Sequence, residues 1–161
     1  MVTILAETHG KSGPQTAEML RRITPKVFLD EAYESGCPPE QEVYDAVKEL
    51  RIDYRPLENA LNDKEALELA KYLSTPNGRR LSDAERDRAV SGVRFRLSNE
   101  GVAMRESDML GTVLKTYENE RPYGTPIVVR CGRDHSRNLE NALKEHEIPV
   151  NYFDLASLGQ E

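Results

Sequence analysis

The chain has no apolar stretch approaching the ~20 residues that span a bilayer. Its apolar residues come in short runs such as "VTILAE" (2–7) and "PIVVRC" (126–131). The beginning, "MVTILAETHG", has no basic segment and too short an apolar run for a secretory signal, so a soluble cytoplasmic protein is expected. Cysteine is scarce: Cys37 and Cys131 lie far apart without C-x-x-C spacing, which reads as two free thiols in a reducing compartment. An excess of positive charge is also missing. The formal net charge is −6 and the pI about 5.2, which disfavours sequence-independent binding to phosphate backbones. There is no internal repeat and no low-complexity segment. With 161 residues, 38% of them hydrophobic and 31% charged, the chain suits one domain with a core of its own.

What is present alternates between two periods. "VTILAE" is a β-branched, near-continuous apolar run, the pattern of a strand buried on both faces. After the glycines at 10 and 13, Pro14 suits a helix start, and Ala17, Leu20 and Ile23 keep helical spacing. "KVFLDEA" (26–32) predicts a second strand, completing a βαβ unit with parallel strands. A loop at 34–40 precedes an amphipathic helix at 40–50, and 52–58 predicts a weaker third strand whose far end Pro56 demotes. A helix at 63–74 with Asn62 as N-cap, and a loop at 75–83 ending in a Ser82/Glu85 capping box, come next. Residues 83–119 predict a long helical region with a weak point at "SNEG" (98–101). "PIVVRC", a helix at 136–147 with Leu139 and Leu143 on one face, and a strand at 149–155 close the chain. The fold class expected is α/β: a mostly parallel sheet, helices on both faces, and a long helical insertion or cap (83–119) before the last two strands, all in one domain over 1–161.

The polar residues fall at the strand ends. Open parallel sheets bind ligands outside the carboxyl ends of their strands. The first strand ends at Glu7 and His9, the second at Asp30 and Glu31, and "CGRDHS" puts Asp134 and His135 just past a glycine turn. Parallel strands bring all three ends to one rim, with two of the three histidines. Taken singly, each group can be a helix cap or half of a salt bridge, and Asp134 suits an ordinary cap for the helix at 136. Taken together, they suit general acid–base chemistry, or a divalent metal held by His9 and His135 with a carboxylate. Other signals are weaker. "GKS" (10–12) lacks the earlier glycine of a phosphate loop, since Leu5 stands there. "ILAE" with the later "LDEAY" faintly resembles a toprim domain, but without its D-x-D. His146 lies in a polar helix and is expected in solvent, and "GRRLSDAERDR" (78–88) reads as a mixed-charge surface.

Four short motifs occur in order: "AETHG" (6–10), "FLDEA" (28–32), "RESDM" (105–109) and "CGRDH" (131–135). On a helix, Arg105 and Met109 share a face. With these motifs the chain resembles the erythromycin esterase/ChaN/TraB/TIKI-like superfamily. Ala6 stands where that group carries glycine, and the chain is short for the group. The resemblance implies a polar pocket above the sheet built by Glu7, His9, Glu31, Arg105, His135 and in addition Glu106. It also implies hydrolase, metal-dependent peptidase or haem-associated members.

The leading expectation is a hydrolase of an ester, amide or peptide bond. His9 or His135 serves as general base, Glu7 or Glu31 orients the imidazole, and Arg105 stabilises the oxyanion. A divalent metal on His9 and His135 is a variant of it. The alternatives are a non-catalytic module binding a metal, haem or small ligand, and a toprim-like magnesium-dependent nucleic-acid enzyme. The partner expected is a small-molecule or peptide substrate, with neither nucleic acid nor membrane. Exposed apolar positions on the 83–119 helices suit a homodimer.

Overall fold

The computed structural model describes residues 1–8, 12–33, 38–58 and 98–158, together with the helical positions 83, 84, 87 and 91. The chain divides into two compact units, residues 1–58 with 109–161, and residues 59–108.

The first unit is an α/β layer structure. Its strands are β1 (Val2–Glu7), β2 (Val27–Asp30), β3 (Asp53–Pro56), β4 (Ile127–Gly132) and β5 (Val150–Asp154). They form one sheet in the order β3-β2-β4-β1-β5, with every neighbouring pair parallel. All residues of β1, β2 and β4 are buried, as their continuous apolar runs require. The helices are α1 (Gly13–Ile23), α2 (Gln41–Leu50), α3 (Asn99–Glu120), α4 (Arg133–Glu145) and the short α5 (Leu155–Leu158), with a 3₁₀ turn at Arg121–Tyr123.

Two cores result. On one face Leu5, Phe28 and Val128 pack with Ala17, Met19 and Leu20 of α1 and Val43 and Ala46 of α2. On the other, Ile4, Leu29, Val129 and Cys131 pack with Met109 and Val113 of α3 and Leu139 and Leu143 of α4. The connections from β1 and β2 step toward the β3 edge over the first face. Those into β4 and β5 step the opposite way over the second. Reversing both direction and face keeps one hand throughout, as parallel crossovers demand.

Several boundaries move from their expected places, each for a local reason. β2 stops at Asp30 because its Oδ1 accepts the Ala32 N–H at 3.1 Å and its carbonyl accepts the Tyr33 N–H at 3.3 Å, turning the chain. α4 begins at Arg133, not at 136. Gly132 is extended and serves as N-cap without a side-chain bond, so Asp134 is not the cap. It lies in the first turn instead, where its charge complements the helix dipole. The expected weak point at 98–101 is a helix start: Ser98 is a bend, its Oγ accepts the Gly101 N–H at 3.0 Å, and α3 runs on from Asn99. β3 ends at Pro56, two residues short of the expected strand, and is the outermost strand on its side of the sheet. His146 is exposed at the end of α4. Cys131 is buried, while Cys37, the 63–74 helix and the Ser82/Glu85 box lie outside the described residues. No helix among the described residues is long and apolar enough to cross a membrane.

Candidate functional site

The chain leaving β1 goes to α1 on one face, whereas the chain leaving the adjacent β4 goes to α4 on the other. The carboxyl ends of β1 and β4 therefore diverge, which is where open α/β sheets carry their ligand crevice. β2, on the other side of β4, also leads to the first face, so Gly132 stands between two such divergences.

Two of the expected residues meet there. Glu7 is the last residue of β1 and is paired in register with Gly132. Glu31 follows β2 directly, and its Oε2 accepts the Gly132 N–H at 2.8 Å. That bond places a carboxylate at the positive end of α4. His135 is half-buried, in the first turn of the same helix. His9 lies outside the described residues. Arg105 is buried on α3, and it and Glu106 belong to the second unit.

The dominant feature of this edge was invisible as a site in the sequence. Arg130, inside the apolar run of β4, is fully buried. Strand alternation points it to the α1/α2 face with Phe28, Asp30, Leu5 and Glu7. A guanidinium has five N–H donors, and each finds an acceptor. Nε and Nη2 grip Asp30 at 2.9 and 2.7 Å in a bidentate pair. Nη1 and Nη2 reach Glu40 at 3.0 and 3.1 Å, and Nη1 reaches the Thr16 hydroxyl at 3.3 Å. Tyr54 donates its hydroxyl to the free side of Asp30 at 2.6 Å. One residue thereby ties β4 to β2, β3, α1 and the start of α2. The only sequence signal was an arginine inside an apolar run, which must find partners if the run is buried.

Glu7 is the outsider of this cluster. Its Oε2 lies 3.7 Å from Arg130 Nη1, close enough for attraction but beyond a hydrogen bond. Its bond comes from the Ser12 hydroxyl at 2.6 Å. Burial pushes the Glu7 carboxyl above its ordinary value. Arg130 and Ser12 pull it back, and the nearby Asp30 and Glu40 charges add to the rise. Burial would by itself pull the Arg130 guanidinium down, but Asp30, Glu7 and Glu40 outweigh it and hold the guanidinium above its ordinary value. Tyr54 is raised by burial and then by Asp30. The backbone has little room here: a Cβ on Gly13 would stand 3.0 Å from Glu40 Cβ.

The cluster thus contains a buried carboxyl group held above its ordinary value, at the end of the strand next to β4, which leads into the helix that carries His135. Among the described residues, no group of three His, Cys, Asp or Glu side chains is arranged to hold a metal ion. Comparison of the chain with family models, with curated proteins and with solved structures finds no match in any of the three.

Proposed function

We propose that the protein is a small hydrolase of ester, amide or peptide bonds, a short member of the erythromycin esterase/ChaN/TraB/TIKI-like superfamily. Its site is the crevice edge around Gly132. The observation that carries this reading is Glu7: a buried carboxyl raised above its ordinary value at the divergence of β1 and β4. A carboxyl so placed takes and returns protons nearer to neutral pH than an exposed glutamate.

In this reading His135 or His9 activates water. Glu7 exchanges the proton, and Glu31 fixes the first turn of α4 that carries His135. A divalent metal shared by His9 and His135 is the metal-assisted form of the same reading. The test is turnover of a panel of chromogenic esters and amides by the wild type and by Glu7→Gln, His9→Ala and His135→Ala. Loss of Glu7, and of whichever histidine is the base, is expected to lower kcat by about 100-fold or more. Equal turnover in all three variants overturns the assignment. Loss of activity on chelation, restored by added metal, selects the metal-assisted form.

A further inference from the structure

A serine at a helix N-cap ordinarily accepts a bond from an N–H of the first turn. Ser12 holds that position before α1, and its carbonyl accepts the Thr16 N–H at 2.8 Å, yet its side chain makes no cap bond. The Ser12 hydroxyl instead donates to Glu7 Oε2 at 2.6 Å. This bond joins the last residue of β1 to the residue before α1, at the divergence of β1 and β4.

The polarity of the bond is that of a nucleophile and its base. It engages the hydroxyl proton and leaves the Oγ lone pairs to meet a carbonyl carbon. A third group holds the base from behind. Arg130 Nη1 stands 3.7 Å from the same Oε2, and Asp30 fixes that guanidinium at 2.9 and 2.7 Å. Nucleophile, base and orienting group within such reach are the geometric signature of covalent catalysis. Ser12 and Glu7 are 4% and 5% exposed, so little water competes for the hydroxyl proton. The first turn of α1 carries no acidic side chain, and Pro14 has no N–H. The helix therefore presents its positive end and the Gly13 and Gln15 N–H groups next to Ser12.

We propose that Ser12 is a catalytic nucleophile with Glu7 as its general base, so that hydrolysis runs through an acyl-Ser12 intermediate. This rests on the hydrolase reading above and changes its first step. Oγ attacks the carbonyl carbon of an ester or amide while its proton passes to Glu7. The oxyanion forms at the start of α1, where the Gly13 N–H follows the nucleophile. Its collapse breaks the bond to the alcohol or amine, which leaves with the proton held by Glu7. Water then gives a proton to the histidine and adds to the acyl carbon. Ser12 departs and takes that proton. One water is consumed and one ester or amide bond is broken.

A small alkyl fluorophosphonate reads the nucleophile without turnover, because Oγ displaces fluoride and keeps the phosphonyl group. The intact mass of the wild-type chain should rise by one phosphonyl group, and peptide mapping should place it on Ser12. Glu7→Gln keeps the side-chain shape and should slow labelling by about 100-fold or more. Ser12→Ala, checked for the far-UV spectrum of the wild type, should take no label and lose ester turnover by at least about as much. A wild-type chain with no label on Ser12 overturns the proposal, and ester turnover by that chain leaves the hydrolase reading with water as nucleophile. A folded Ser12→Ala variant with wild-type turnover overturns it as well. A label on Ser12 without turnover of any ester or amide supports the activated serine and overturns the hydrolase reading instead.

Discussion

At the scale of single residues, Glu7 and Arg130 behave differently although they are neighbours. Arg130 spends all its donors on Asp30, Glu40 and Thr16. Glu7 receives attraction from it without a hydrogen bond, and that shortfall is why burial wins at Glu7. The pH dependence follows with a definite sign. A carboxyl raised on folding binds more protons in the folded than in the unfolded chain above the ordinary value of 4.5. Stability is then full below that value and falls as pH rises through the raised one. Glu7→Gln removes this titration. Its stability in urea should decline less than that of the wild type as pH rises from 4.5 toward neutrality. Parallel curves for the two proteins would mean that Glu7 does not titrate as described.

At the scale of elements, helix ends explain where the chain turns. α2 ends on Arg51 in the left-handed region at φ 53, and its N–H bonds the carbonyls of Lys48 and Val47. A side chain there carries a steric cost that glycine does not. Arg51 is exposed, and the turn needs only its backbone. Arg51→Gly should therefore stabilise the protein by up to about 1 kcal/mol, the unfolded-state entropy of glycine offsetting part of the gain. A lower urea midpoint for the variant would show that the side chain makes a contact worth more than the strain. The start of α4 follows the same logic from the other side. Gly132 lets the helix begin at once, and Glu31 supplies a carboxylate to the Gly132 N–H that no cap side chain of α4 provides.

At the scale of the whole molecule, the ionic cluster is where sheet and helices are held in register with each other. Arg130 and its partners come from β4, β2, β3, α1 and the residue before α2. Removing only the cation leaves Asp30 and Glu7 buried, and Glu40 half-buried, without it. Arg130→Met should cost about 3–5 kcal/mol in denaturant unfolding, a large share of the roughly 5–15 kcal/mol that holds a domain together. Adding Asp30→Asn should recover part of the loss, because the stranded charge is then gone. A single variant within about 0.5 kcal/mol of the wild type would mean that water enters the cluster.

The sequence by itself determined the elements and their class. β-branched runs, Pro14 at a helix start, Pro56 at a strand end and the Leu139/Leu143 spacing act within a few residues, so local physics places them. It also brought Glu7, Glu31 and His135 to one edge, because parallel strands share their carboxyl ends. Only the tertiary structure decided the strand order, and with it that β4 lies between β2 and β1. That order brings Arg130 to Asp30 across 100 residues of sequence and to Thr16 across 114. No local pattern encodes such a pairing. It exists because a buried guanidinium must find carboxylates, and the fold supplies them from elements that the sequence keeps apart.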